Sequence, residues 1–169
     1  MHVSPLQKTS TMKALLIFLL VNFVYLNAHC QTSERFNFQT SDDNNAGYTI
    51  SLKLEKPLSK NSRVAGGRFI DEPSKKKMQE TFHSIVEKSI PTEKLQKLIG
   101  RTFVSINFSL AGKAIQVRVH TLKENMEVFD EDNLYTLFSN LLNMEVDMST
   151  YEITWTQDPE DFLAWMFTL

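Results

Sequence analysis

The stretch INFSLAGKAIQVRV, Ile106 to Val119, alternates apolar and polar residues on both sides of a Gly-Lys pair. Such alternation marks two half-buried strands folded back on each other. With Gly112-Lys113 as a two-residue turn, glycine first as type II′ requires, the register is set. Leu110 then faces Ile115, Phe108 faces Val117, and Ile106 faces Val119. The opposite side pairs Ser109 with Gln116, Asn107 with Arg118, and Ser105 with His120. One face of the hairpin is core and the other is polar.

Upstream, YTISLKLE from Tyr48 to Glu55 alternates in the same way, with Tyr48, Ile50, Leu52 and Leu54 on one side. It predicts a strand. RVAGGRFI, Arg63 to Ile70, predicts another, with Gly66-Gly67 placing a bulge in it. Pro73 and Ser74 open a helix that carries Met78, Phe82, Ile85 and Val86 on one face and stops at Pro91. Lys75, Lys76 and Lys77 lie in its first turn, where they oppose the helix dipole. A short turn follows at Thr92 and ends at Gly100.

Downstream, Asp130 to Asn133 predicts an acidic cap for a helix striped by Leu134, Leu137, Phe138, Leu141 and Leu142. Tyr151 to Gln157 predicts a last strand with Tyr151, Ile153 and Trp155 inward. Asp158-Pro159-Glu160-Asp161 has the form of a helix start, with a cap, a proline at the first position and an acid at the third. Together these elements predict an α+β fold, a small antiparallel sheet with helices packed on one face.

The chain has 169 residues and one cysteine, Cys30. From Met12 it reads MKALLIFLLVNFVYLNAHCQ, a lysine, an apolar run from Ala14 to Leu26 broken by Asn22, then polar residues. A membrane span needs roughly 20 apolar residues, so this order predicts a signal peptide over residues 1–30, with Met12 as an alternative start. Ala28 and Cys30 suit cleavage before Gln31. A lipoprotein acylated on Cys30 is the less favoured outcome, because His29 precedes the cysteine. The polar residues 31–47 read as a flexible arm before an α+β domain over residues 48–169. The expected location is the periplasm or the outside of the cell. With no cysteine left after cleavage, stability cannot come from disulfides.

Charge is unevenly placed. Gln31 to Lys123 holds 16 basic and 9 acidic residues, whereas Glu124 to Leu169 holds 11 acidic residues and no basic one. Either the surface has two oppositely charged faces, or the two parts neutralise each other. The negative balance argues against nucleic acid as a partner.

Motifs for chemistry are scarce. Beyond the leader the histidines are His83 and His120, neither with a second ligand at metal spacing, so no metal or cofactor is expected. The acidic run Asp130-Glu131-Asp132-Asn133 lacks the glycine and the distant glutamate of a calcium loop, and reads as a helix cap. The hairpin's polar face supplies the candidate binding residues Ser105, Asn107, Arg118 and His120. Ser105 and His120 place a nucleophile beside a base. Without an orienting third group or an oxyanion donor they are not assigned as catalytic.

Residues 92–157 resemble the C-terminal domain of TonB-type proteins. In that family a hairpin with a Gly-Lys turn is followed by an acidic cap, a helix and a strand. Val104, Ile106, Phe108, Gly112, Lys113, Val117, Val119, Asp130, Leu134 and Leu137 stand at the matching places. The family's Tyr-Pro before the hairpin and its Pro-rich spacer are absent. The resemblance therefore implies an exported α+β domain that binds by adding a strand to a sheet edge, rather than energy transduction.

The favoured reading is an exported, non-enzymatic domain of the cell envelope that binds a protein or peptide, with neither nucleic acid nor a lasting membrane span. A secreted hydrolase or carbohydrate-active enzyme is one alternative. An envelope structural or assembly factor is the other.

Overall fold

The hairpin lies at the centre of an antiparallel sheet, as its two-faced pattern requires. The computed structural model describes residues 33–40, 47–53 and 55–169. The leader with Cys30, the cleavage region, residues 41–46 and Leu54 lie outside the described residues. Glu34–Leu169 form one compact unit.

The strands are β1 (Phe36–Thr40), β2 (Gly47–Leu52), β3 (Gly66–Phe69), β4 (Phe103–Ser109), β5 (Ala114–Leu122), β6 (Tyr151–Trp155) and β7 (Phe162–Thr168). The helices are α1 (Glu72–Ser89), α2 (Thr92–Leu95) and α3 (Glu131–Leu142). Five strands form one sheet in the order β1-β2-β5-β4-β7, and β3 pairs with β6 in a second. The fold is α+β.

One face of the larger sheet is the core. Ile50, Val104, Ile106, Phe108, Val117, Val119 and Leu163 are all fully buried there. Helices α1 and α3 lie on that face. Phe82 of α1 stacks on Phe167 of β7 at 4.2 Å between ring centroids, and Phe138 of α3 meets Phe36 of β1 edge-on at 5.2 Å. The caps are as the sequence suggests. The Asp130 side chain accepts from the Asn133 amide at 2.7 Å, and Asp71 does the same for Ser74 ahead of the proline in α1. Lys75 and Lys76 of the basic first turn are held by Glu72 and Glu80.

The hairpin register differs from the expected one by two residues, so Ser105 to Phe108 and Val117 to His120 keep their predicted faces, whereas Ile115, expected in the core, lies beside Ser109 beyond a bulge. Ser105 pairs with Arg118 and Asn107 with Gln116. The turn is a three-residue loop, Leu110 to Gly112. The Ser109 amide donates to the Lys113 carbonyl at 2.8 Å, and Gly112 closes the loop at φ +84°. Glycine comes last in such a loop rather than first. A bulge beside Asn107–Phe108 then absorbs one more residue.

Three further expectations are corrected. Residues 31–47 are not simply an arm, because Phe36–Thr40 pairs with β2 and buries Phe36. Phe36 and Phe38 alternate, but two apolar residues among many polar ones are a faint signal. The Asp158–Asp161 stretch starts no helix. The buried Asp161 carboxylate instead turns back to accept from the amides of Arg63, Gln157 and Asp158, and Phe162–Thr168 leaves as a strand. The alternation of Leu163, Trp165 and Phe167 suits a strand, and an open flank of β4 satisfies it. Finally, Trp155 in β6 is 45% exposed rather than inward.

Among the described residues, ion pairs join the basic part of the chain to the acidic one at three places, Arg35 with Asp132, Arg68 with Glu152, and Lys94 with Asp130.

Candidate functional site

The polar hairpin face brings the sequence candidates together. β4 and β5 point Ser105, Asn107, Arg118 and His120 away from the helices. His120 Nε2 lies 3.0 Å from the Ser105 hydroxyl, and its Nδ1 lies 3.1 Å from the hydroxyl of Thr49 on β2. Asn107 donates to Gln116 at 2.9 Å. Burial of the imidazole, aided by the nearby Arg118 charge, holds the His120 pKa below its ordinary value.

Two features set what this group can do. The third member of the row is a threonine, whose hydroxyl orients the ring but carries no charge to stabilise an imidazolium. Arg118 also opposes protonation. At neutral pH the ring is therefore a neutral imidazole between two hydroxyls, with one nitrogen donating and the other accepting.

Beside it, the β2–β5 ladder stops at Ile50 and Val119 and leaves a donor of β5 without a ladder partner. The Glu55 carboxylate takes that place, accepting from the Val117 amide at 2.7 Å. Burial raises the Glu55 pKa, against the pull of that bond and of Arg118. Among the described residues no three His, Cys, Asp or Glu side chains converge as metal ligands would, and no helix is long and apolar enough to cross a membrane.

Both edges of the hairpin are covered, β5 by β2 and β4 by β7. The outer strands of the sheet are β1 and β7, and the edge with a cleft beside it is that of β7. Its register with β4, with the Leu169 amide donating to the Thr102 carbonyl at 3.0 Å, turns Leu163, Trp165 and Phe167 toward β4. Antiparallel ladders alternate, so Phe162, Ala164, Met166 and Thr168 direct their backbone groups outward. Phe162 is met by the Arg63 carbonyl and the Ala65 amide. The rest of the edge, from Ala164 to Thr168, has no strand beside it among the described residues.

A cleft of about 760 Å³ runs along that edge, between β7, β3 and the start of α1. Trp165 forms its floor, with Phe69 at 4.6 Å and Tyr151 at 5.5 Å between ring centroids. Sequence reasoning missed this place because the tail was read as starting a helix. The alternating aromatic pattern after Asp161 was the available signal.

No family model matches the chain, and no curated protein is significantly similar to it. Among solved structures it is similar to a DUF5043 family protein from Bacteroides uniformis, with a TM-score of 0.51 and 14% identity over 79% of each chain. At that identity the likeness shows the shared α+β fold and does not extend to activity.

Proposed function

We propose that this chain is an exported, non-enzymatic binding domain of the cell envelope that receives a strand of a protein or peptide partner on the outer edge of β7. The carrying observation is the unpaired row from Ala164 to Thr168. Natural sheets protect such edges with lysine, proline, bulges or a covering segment. FLAWMFT carries no charge and no proline, and Met166 stands 66% exposed on it. Strand addition draws its affinity from the backbone, which accounts for a binding site without a cluster of reactive side chains. The leader supports export, and the resemblance of residues 92–157 to the TonB C-terminal domain supports the same mode of binding.

The test uses the chain beginning at Gln31 and its Met166→Pro variant, which removes one outward amide while leaving the bonds to β4. Both are used to capture proteins from the source organism's envelope fraction, and amide exchange is read in the recovered complex. A partner held by the wild type, lost with Met166→Pro, and slowing exchange at Ala164 and Met166 is the expected result. Equal capture by both, or unchanged exchange, overturns the proposal. Intact mass of the natural protein tests export, with a start at Gln31 expected. A lipid on Cys30 or a retained Met12 argues against a soluble exported product.

A further inference from the structure

We infer that the bound strand is held between two edges, β7 on one side and β3 on the other, as an uncharged extended peptide that joins the two sheets into one. This rests on the strand-addition reading and goes beyond it by naming the second edge and the ligand's chemistry.

The geometry begins at Phe162. There Val64 forms a parallel bridge with β7, through the Ala65 amide at 2.7 Å and the Arg63 carbonyl at 3.0 Å. Beyond this point β3 and β7 run in the same direction but part, and the cleft opens between them. The phase of β3 follows from its partner β6. The Ile70 amide donates to the Thr150 carbonyl at 3.0 Å in the register that pairs Phe69 with Tyr151. Alternation then turns Arg68 and Ile70 toward β6, and Gly67 and Phe69 away from it. That is the side on which Ala65 already bonds to β7.

The cleft is therefore flanked by two rows of unpaired backbone groups, Gly67 and Phe69 facing Ala164 and Met166. An extended peptide presents its own groups alternately to left and right. A single edge engages half of them, whereas this fork engages both halves. Because β3 and β7 run the same way, the ligand is antiparallel to both or parallel to both.

The lining sets the ligand's chemistry. Its charged groups already have partners: Arg68 binds Glu152 at 2.8 Å, Lys75 meets Glu72 at 3.4 Å, and Asp71 caps Ser74 at 2.7 Å. What remains free is backbone and the aromatic floor of Trp165, Phe69 and Tyr151. Selection falls on an uncharged strand with a bulky apolar side chain over Trp165. A second copy of the chain is a poorer occupant, since its own β7 edge is recessed beside its own β3.

The experiment uses acetyl-Thr-Val-Thr-X-Thr-Val-amide peptides, with X as Phe, Leu or Ile, and the ¹⁵N-labelled chain beginning at Gln31. Amide exchange is read with and without peptide, and two further versions of the best binder are N-methylated at alternate residues. The expected result is slowed exchange at Gly67, Phe69, Ala164 and Met166, with each methylated version binding up to about tenfold more weakly per bond lost. Slowed exchange at Ala164 and Met166 alone, with one methylated version binding normally, overturns the two-edge arrangement and leaves strand addition standing. Absence of saturable binding, or dimerisation of the chain in its place, overturns both.

Discussion

Gly112→Ala separates the observed hairpin turn from the simpler one. Gly112 sits at φ +84°, where an L side chain costs about 1–2 kcal/mol. A two-residue type II′ turn would also need positive φ there, so this part does not distinguish the two. The surroundings do. A Cβ on Gly112 would lie 2.3 Å from the Val146 carbonyl oxygen, which is backbone and cannot rotate away. The Gly112 carbonyl also accepts from the Val146 amide at 2.7 Å, so moving Val146 disturbs a bond contributing about 1 kcal/mol. Together these predict a loss of about 2–4 kcal/mol. Gly100→Ala is the control. Its φ is +64°, but its obstacle is Leu122 Cδ1 at 2.8 Å, the end of a side chain that can turn aside. The expected loss there is about 1–2 kcal/mol. Urea unfolding of the three proteins at pH 7 measures both, with unchanged m-values expected. A loss for Gly112→Ala that is smaller than for Gly100→Ala would refute the packing of this turn on Val146.

Phe108 is fully buried, so Phe108→Ala should cost about 3–5 kcal/mol, while the exposed Arg118→Ala should stay within about 0.5 kcal/mol; denaturant melts in the reverse order would show that the hairpin faces are exchanged. Asp161 has its pKa lowered to about 2 by amide bonds from Gln157 and Arg63. Its contribution is therefore complete above the unfolded value near 4 and is lost as pH falls toward 2. Asp161→Asn should remove that acid slope, and an unchanged slope in pH-dependent melts would count against the turn. His120 binds its proton less readily folded than unfolded, so stability should decline as pH falls below about 6.5. His120→Gln should flatten this part of the profile, and a His120 NMR titration above the ordinary value would contradict it.

Much of the fold was legible because local pattern and tertiary environment agree. The alternation of β2, β4 and β5 and the stripes of α1 and α3 each need one buried face, and each receives one. The register of the hairpin was not legible, since Gly112 can open a two-residue turn or close a three-residue one. That choice depends on Val146, which packs beside the turn from far along the chain. The tail was misread because Asp158-Pro159-Glu160-Asp161 satisfies a helix start locally, while the decisive partner, the open flank of β4, is absent from the local sequence. For the candidate site, the residues of the polar face were legible from parity alone, and Thr49 was not, because β2 reaches β5 only through the fold. An unpaired edge has no residue signature at all. It is a property of which strands are neighbours.

The strand order also bears on how fast this chain reaches its native state. Only β1–β2 and β4–β5 join strands adjacent in sequence. The β2–β5 seam brings together residues such as Thr49 and His120, 71 positions apart, and β3–β6 joins Arg68 to Glu152 across 84. A hairpin closes in about 1–10 μs, but pairings of this span must first meet the entropy of closing long loops. Chains dominated by such pairings fold in roughly milliseconds to seconds. The β4–β5 hairpin is thus expected to form early and to wait with both flanks bare until β2 and β7 arrive. Stopped-flow fluorescence of Trp165 in a Trp155→Phe background, where the ring meets Phe108 only when β7 docks, would report that late step separately from the first collapse.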